Sequence, residues 1–180
     1  TSAASVSDSQ HWLLGFDTAA QILALTVVLL MLGFTEEMMF RGVLFHGLET
    51  RYSALLVVLI SATLFGLFHF VNLFTGAGYY DTIYQVLHAI AAGFMYASLR
   101  LILGAIWPVM LFHAFWDFIL TTIGSMSTHT DAAAATSFEP AHALFTVAPA
   151  TLYGLFVYWR WSVRSKRQRE ESGAGSPESP

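Results

Sequence analysis

Three short stretches of the sequence carry ionisable side chains at helical spacing. They are Glu36-Glu37-Met-Met-Phe-Arg41, Phe65-Gly-Leu-Phe-His69 and His113-Ala-Phe-Trp-Asp117. Residues three and four apart share one face of an α-helix, so His113 can lie beside Asp117, and Asn72 beside His69. By the same spacing Glu37 can meet Arg41 and neutralise it as a buried supporting pair.

These groups are suited to hydrolysing an amide without a covalent intermediate. The chain has no cysteine, and no serine stands in a Gly-x-Ser-x-Gly setting. A carboxylate beside an imidazole can hold and deprotonate water, and we expect this role for Glu36 and His69. His113 and Asp117 can then hydrogen-bond the developing oxyanion. The spacing therefore favours a site assembled from three helices.

The composition indicates where such helices lie. Of 180 residues, 56% are hydrophobic and 11% are charged, whereas soluble domains carry about 25% charged residues. This deficit is typical of a membrane protein, for which lipid is an obligatory partner. The net charge of −4 and the eight Lys and Arg residues give no broad basic face, which argues against nucleic acid as a partner.

Five apolar stretches have, or nearly have, the roughly 20 residues that cross a bilayer. They cover residues 18–49, 53–74, 82–103, 107–123 and 141–161. We therefore predict an all-α, polytopic transmembrane helix bundle of about five spans, with the ionisable residues on three of them. Residues 1–17 are expected to form an N-terminal tail or loop, residues 18–161 the transmembrane core, and residues 162–180 a disordered cytoplasmic tail.

The basic residues predict an orientation in the membrane. Apart from Arg41, all of them fall at one end of the predicted bundle: Arg51, Arg100, Arg160, Arg164, Lys166, Arg167 and Arg169. The positive-inside rule makes this end, and the C-terminus, cytoplasmic. We expect the cell (plasma) membrane, and a substrate segment in its cytoplasmic half. At about 1.5 Å per residue, Glu36, His69 and Asp117 lie near mid-membrane and His113 nearer the cytoplasm.

The three motifs together resemble the CPBP family. This family comprises the type II CAAX prenyl endopeptidases and related bacteriocin-processing and immunity membrane proteases, and the resemblance covers about residues 32–123. It implies an intramembrane endopeptidase without a cofactor, in which Glu36 and His69 activate water while His113 and Asp117 stabilise the oxyanion. The substrate would be a membrane-associated peptide or protein, of the CAAX type or a bacteriocin or signal peptide.

Position 117 departs from the family pattern, because the prenyl endopeptidases have Asn there. A carboxylate cannot donate a hydrogen bond unless it is protonated. Asp117 is therefore either neutral in its low-dielectric site or an orienting partner of His113. We favour the second interpretation, because carboxylate–imidazole pairs commonly fix a histidine tautomer.

Two alternatives remain open from the sequence. One Glu with two His matches the ligand set of a catalytic zinc, so Glu36, His69 and His113 could serve a zinc-dependent protease. A non-catalytic membrane scaffold or immunity protein could use the same residues to bind peptides. We interpret His88 and His46, which lie outside the three motifs, as structural.

Overall fold

The computed structural model describes the backbone of residues 3–127 and 140–173 and the side chains of residues 19–122 and 147–172. These residues form five helices and no strand, which confirms the all-α class. Helix α1 is Ala3–Glu37, which continues through a π-helical segment, Met38–Leu44, into Phe45–Glu49. Helix α2 is Ala54–Phe68 with a 3-10 extension, His69–Thr75. The others are α3 (Tyr79–Leu103), α4 (Trp107–Ser127) and α5 (Pro140–Gly173).

Three stretches of described residues are long and apolar enough to cross a membrane. They are Ala19–Glu49, Ala54–Thr75 and Tyr79–Leu103. In lipid the backbone polar groups must be satisfied within the segment, which is why these apolar stretches are helical. The predicted spans over 107–123 and 141–161 are helical as well, and their crossing of the membrane stays a prediction.

Both ends of the chain differ from the sequence-based expectation. Helix α1 reaches back to Ala3, because helix propagation adds a hydrogen bond for each residue once a span has nucleated. Helix α5 continues to Gly173, so residues 162–173 of the predicted disordered tail are helical. This segment is rich in Arg, Lys, Gln and Glu, which are good helix formers. Residues 174–180 lie outside the described residues.

The short connections alternate between the two ends of the bundle. Gly104, with φ of 67°, ends α3 and lets the chain turn within a few residues into α4. We call the end with the 50–53 and 104–106 connections the basic end, because Arg51 and Arg100 lie there; the opposite end, with the 76–78 connection, is the far end. Helix α5 runs parallel to α3, since Val147 packs near Ala91 and Ala92 while Tyr158 packs near Ala97. Its arginines therefore also lie at the basic end.

Small residues bring the helices close together, and α3 occupies the centre. Helix α3 packs on α2 and α5, whereas α1 packs mainly on α4. A Cβ at Gly66 of α2 would lie 2.9 Å from backbone atoms of α3, and one at Gly33 of α1 would lie 3.1 Å from a backbone oxygen of α4. Such approaches are how helices pack in membranes, where van der Waals contact replaces the hydrophobic effect. The bundle thus leaves a gap between the α1–α4 pair and the α2–α3 pair.

Candidate active site

The helix that carries the paired glutamates changes its winding directly after them. Over Met38–Leu44 the hydrogen bonds widen to the π pattern, and the N–H of Phe45 donates to the carbonyl of Phe40, five residues back. The buried hydroxyl of Ser61 on α2 donates to the same carbonyl at 3.2 Å. Single π turns inside α-helices are frequent at functional sites, because the extra residue re-aims the side chains around it.

Arg41 lies inside this π segment and is completely buried. Its Nη1 donates to Oε1 of Glu37 at 2.8 Å, which is the ion pair that the spacing predicts. Its Nη2 donates to the carbonyl of Gly93 on α3 at 3.0 Å, and its guanidinium lies 4.3 Å from the centre of the Phe65 ring. A buried charge is tolerated when it is paired and hydrogen-bonded, and here Nη1 and Nη2 have partners while Nε has none among the described residues. Arg41 thereby links α1 to α3 and packs on Phe65 of α2.

His113 on α4 is held between three carboxylates. Its Nδ1 lies 2.9 Å from Oε1 of Glu37, while its Nε2 lies 3.3 Å from Oδ2 of Asp117 and 3.7 Å from Oε2 of Glu36. The ring stacks on Tyr96 with 4.8 Å between centres. Because a carboxylate accepts, Nδ1 donates to Glu37, and the Nε2 edge is left facing Glu36 and Asp117.

The structure bears on two expectations about His113. Glu37 lies 2.9 Å from Nδ1 and Asp117 lies 3.3 Å from Nε2, so each ring nitrogen faces a carboxylate, and the orienting role expected of Asp117 stays a prediction. Counting residues put His113 nearer the cytoplasm than Glu36, yet the two side chains are in contact distance. The count assumed that every helix starts at one plane, and packing of α4 along α1 decides the level instead.

His69 directly follows the α-helical part of α2 and is the first residue of the 3-10 extension, where the winding tightens. Its Nδ1 lies 2.9 Å from the carbonyl oxygen of Phe65. A carbonyl only accepts, so Nδ1 carries the hydrogen and a neutral ring keeps its Nε2 lone pair free. The local helix geometry therefore presets His69 as a proton acceptor.

One cavity of about 300 Å³ joins the four residues predicted to be catalytic: Glu36, His69, His113 and Asp117. Glu36 and Asp117 keep 11% and 26% of their side chains exposed, whereas Glu37 is fully buried. The cavity is thus lined by two carboxylates and three imidazoles, the third being that of His88, and the Glu37–Arg41 pair lies behind its wall. The catalytic roles of these residues stay predictions.

The supporting residue Asn72 does not line this cavity. Its Nδ2 donates to Oε1 of Gln85 at 2.7 Å, and Gln85 does line it. Asn72 therefore reaches the cavity through Gln85, a residue that the sequence analysis missed.

The missed residues share one face of α3. Gln85, His88, Ala92 and Tyr96 all line the cavity, at spacings of three or four residues that place them on one side of a helix. His88, interpreted as structural, also stacks on Trp116 with 6.3 Å between ring centres. The polar residues at this helical spacing were the signal that α3 contributes to the site.

The zinc alternative can be tested against the donor geometry. Among the described side chains, no three His, Asp or Glu residues are arranged to hold a metal ion. As placed, Glu36, His69 and His113 do not form such a group, so we derive no step through a metal, and the zinc-dependent protease stays an alternative prediction.

Comparison with known proteins identifies the family. The family model described as Type II CAAX prenyl endopeptidase Rce1-like matches residues 18–119, which is more than half of the chain and includes every residue of the site described above. No curated protein and no solved structure gave a match. The chain therefore belongs to the Type II CAAX prenyl endopeptidase Rce1-like family, a family of CAAX-type intramembrane proteases.

Proposed function

We propose that this chain is a glutamate-dependent intramembrane endopeptidase. It hydrolyses a peptide bond of a membrane-associated protein or peptide with a water activated by Glu36 and His69, and no cofactor is involved. The observation that carries the proposal is the single cavity inside an apolar helix bundle on which Glu36, His69, His113 and Asp117 converge. Ionisable residues are costly within a membrane and are there for function as a rule.

The attacking water would sit between Glu36 and His69. The Nε2 lone pair of His69 accepts one hydrogen bond from it, and the carboxylate of Glu36 takes the proton as the oxygen attacks the peptide carbonyl. Glu36 then returns this proton to the leaving amine when the tetrahedral intermediate collapses. One water and one amide thus give one carboxylic acid and one amine, without an acyl-enzyme.

The oxyanion of the intermediate would be stabilised from α4. His113 is held at Nδ1 by Glu37, so its Nε2 edge points into the cavity. With both ring nitrogens facing carboxylates, the imidazolium form can donate from both, and Nε2–H is the donor that faces substrate. Preorganised donors of this kind contribute because they need no rearrangement during the reaction.

Glu37 and Arg41 act as positioning residues in this scheme. A single oxygen of Glu37 accepts from both the guanidinium and His113. The pair therefore fixes the direction of the His113 ring in addition to stabilising the fold, which is more than the supporting role inferred from spacing.

Asp117 takes the position where the related endopeptidases carry Asn. We propose that its protonated form donates to the oxyanion beside His113, because it lies 3.3 Å from the same Nε2. With the proton on Asp117, Glu36 stays an ionised carboxylate that can act as the base, and the two neighbouring acids do not both carry a charge in a low-dielectric site.

Composition and charge support a proposal for the membrane location and the partners of the protein. We propose that the protein resides in the cell membrane with its C-terminus in the cytoplasm, because its basic residues gather at one end of the bundle. Lipid is its solvent and partner, and its substrate is a peptide segment of the CAAX, bacteriocin or signal-peptide type.

The test compares membranes of cells producing the full chain as wild type, Glu36→Gln or Glu49→Gln. Peptide termini are mapped by mass spectrometry. We expect segments that are cut by the wild type and by Glu49→Gln, an exposed glutamate of the same helix, but not by Glu36→Gln. Identical maps from all three would contradict the protease and favour the scaffold or immunity alternative.

A further inference from the structure

One face of helix α5 carries exposed apolar side chains. Leu152, Phe156 and Trp159 follow one another at spacings of four and three residues, which place them on one side of a helix. Their exposed fractions are 65%, 54% and 57%, so the other described residues do not cover them. In a membrane such a face lies against the acyl chains of lipid, and tryptophan is enriched at the level of the lipid head groups.

The same face becomes cationic directly after this tryptophan. Arg160, Arg164 and Arg167 continue the spacing of four and three residues and, with Trp159 and Val163, line a cleft of about 160 Å³. We call it the arginine cleft. Its volume corresponds to about five water molecules, which leaves room for a phosphate group. The arginine cleft lies at the basic end of the bundle, beyond the apolar part of the face.

The three arginines have no counter-charge in the described part of the chain. None of them forms an ion pair there, although Glu171 follows Arg167 by about one turn. Like charges at this spacing repel one another, so the arginine cleft favours an anionic partner. A guanidinium presents its donors in a planar fork that matches a phosphate group, which is why arginine is frequent at phosphate sites.

We propose that this face of α5 binds an anionic phospholipid of the surrounding membrane. Its phosphate and head group occupy the arginine cleft, while an acyl chain lies along Phe156 and Leu152. A charged head joined to an apolar tail matches the order of the cationic and apolar parts of the face, whereas a zwitterionic lipid would bring a cation to the arginines. The arginine cleft shares no residue with the candidate active-site cavity, so the inference goes beyond the proposed reaction and does not depend on it.

The same helix provides a matched control for this site. Lys166 and Arg169 are exposed, but at about 100° per residue they project away from the arginine cleft, and Arg169 lies opposite Arg160. Arg164→Gln combined with Arg167→Gln therefore removes the same charge from the same segment as Lys166→Gln combined with Arg169→Gln. Only the first pair changes the arginine cleft.

The experiment titrates lipid into the full chain, purified in a non-ionic detergent. The probes are phosphatidylglycerol, phosphatidylcholine and inorganic phosphate. Native mass spectrometry counts the bound lipid, and heating measures the unfolding temperature, which a ligand of the folded state raises. Without lipid, both double variants should unfold at the wild-type temperature, because all four substituted side chains are exposed.

We expect phosphatidylglycerol to bind the wild type and to raise its unfolding temperature, and the other two probes to have little effect. A basic residue near an anionic lipid contributes about fivefold to the affinity. The pair Arg164→Gln and Arg167→Gln should therefore bind phosphatidylglycerol roughly 25-fold more weakly. The pair Lys166→Gln and Arg169→Gln should bind it as the wild type does.

Other results would overturn the proposal. Equal weakening in both double variants would mean a general attraction between the basic segment and anionic lipid, without a site at the arginine cleft. Equal binding of phosphatidylcholine would mean that the charge is not recognised, and equal binding of inorganic phosphate would mean that the ligand is a free anion. If phosphatidylglycerol does not bind the wild type, the site does not exist. None of these results depends on cleavage, which the Glu36→Gln comparison reports separately.

Discussion

The two halves of the bundle are built from the same helices and yet have opposite properties. Toward the basic end, Phe45, Val57 and Ala97 interlock with no exposed surface. Toward the far end, the helices separate around a cavity lined by acid, imidazole and amide groups. The boundary passes between two adjacent glutamates, since Glu36 faces the cavity while Glu37 is fully buried.

This difference shows how one helix supplies both chemistry and support. Successive residues on a helix point about 100° apart, because a turn takes 3.6 residues. The side chain of Glu36 therefore points into the cavity, while the side chain of the next residue, Glu37, points into the packed wall. In the π segment that follows, Arg41 pairs with Glu37, and the turns after this segment pack in the basic half of the bundle. Four substitutions break or sharpen this contrast, from the largest expected effect to the smallest.

Glu37→Gln should destabilise the packed half of the bundle. It leaves the buried guanidinium of Arg41 without its counter-charge, and breaking a buried pair costs about 3–5 kcal/mol. The loss of stability is measured by unfolding the full chain in detergent with heat or with denaturant. Glu49→Gln, at an exposed position of the same helix, should change stability by no more than roughly 0.5 kcal/mol. Equal stability of the two variants would show that the pair is dispensable for the fold.

His113→Phe should lower the activity of the cavity without destabilising the packed half of the bundle. The phenyl ring keeps the contacts with Tyr96 and Phe65 but removes the proposed oxyanion donor, so the rate of cleavage should fall roughly 100- to 1000-fold. The assay is cleavage of a segment found in the wild-type comparison, using purified protein. His46→Phe, at an exposed histidine, is the matched control, and an equal loss in both variants would count against the assignment.

Asp117→Asn should have a much smaller effect on the rate. An amide donates the hydrogen bond that we assign to the protonated carboxyl, so we expect activity within about tenfold of the wild type, or roughly 1.4 kcal/mol in the barrier. Asp117→Leu has a similar size without a donor and should lose about 100-fold or more. Retained activity in Asp117→Leu would refute the proposed role.

Ser61→Ala should give the smallest effect. It removes the hydrogen bond to the Phe40 carbonyl in the π segment, a loss of about 1 kcal/mol in the free energy of unfolding. Ser98→Ala is the matched control, because Ser98 is equally buried but donates within its own helix to Phe94. If the π segment positions the site, only Ser61→Ala should also lower the cleavage rate.

The sequence predicted the helices and three of the four faces that meet at the site. Helical spacing brought Glu37 to Arg41 and His113 to Asp117, since this depends only on local geometry. The π segment could not be foreseen, because no residue type specifies it and its Phe40 carbonyl accepts a second hydrogen bond from Ser61 of another helix. Likewise, the contact between Glu37 and His113 depends on how α4 packs against α1, which spacing along the chain does not encode.

The face of α3 was missed for a different reason. Gln85, His88 and Tyr96 have helical spacing, but none of the three forms a motif with a neighbouring acid, and a single polar residue in a span is often just a satisfied group. The start of α1 was taken for a tail or loop and the end of α5 for a disordered tail because both are polar. At the end of α5 the polar residues are Arg, Lys, Gln and Glu, whose polarity does not prevent a high helix propensity.

The most direct test of the account measures Glu36→Gln and Glu37→Gln side by side, each for cleavage rate and for stability in the same detergent. We predict that Glu36→Gln loses the roughly 100- to 10,000-fold contribution of a general base while unfolding at the temperature of the wild type. Glu37→Gln should unfold at a clearly lower temperature. Cleavage at the wild-type rate by Glu36→Gln would contradict the central claim that this carboxylate activates the water.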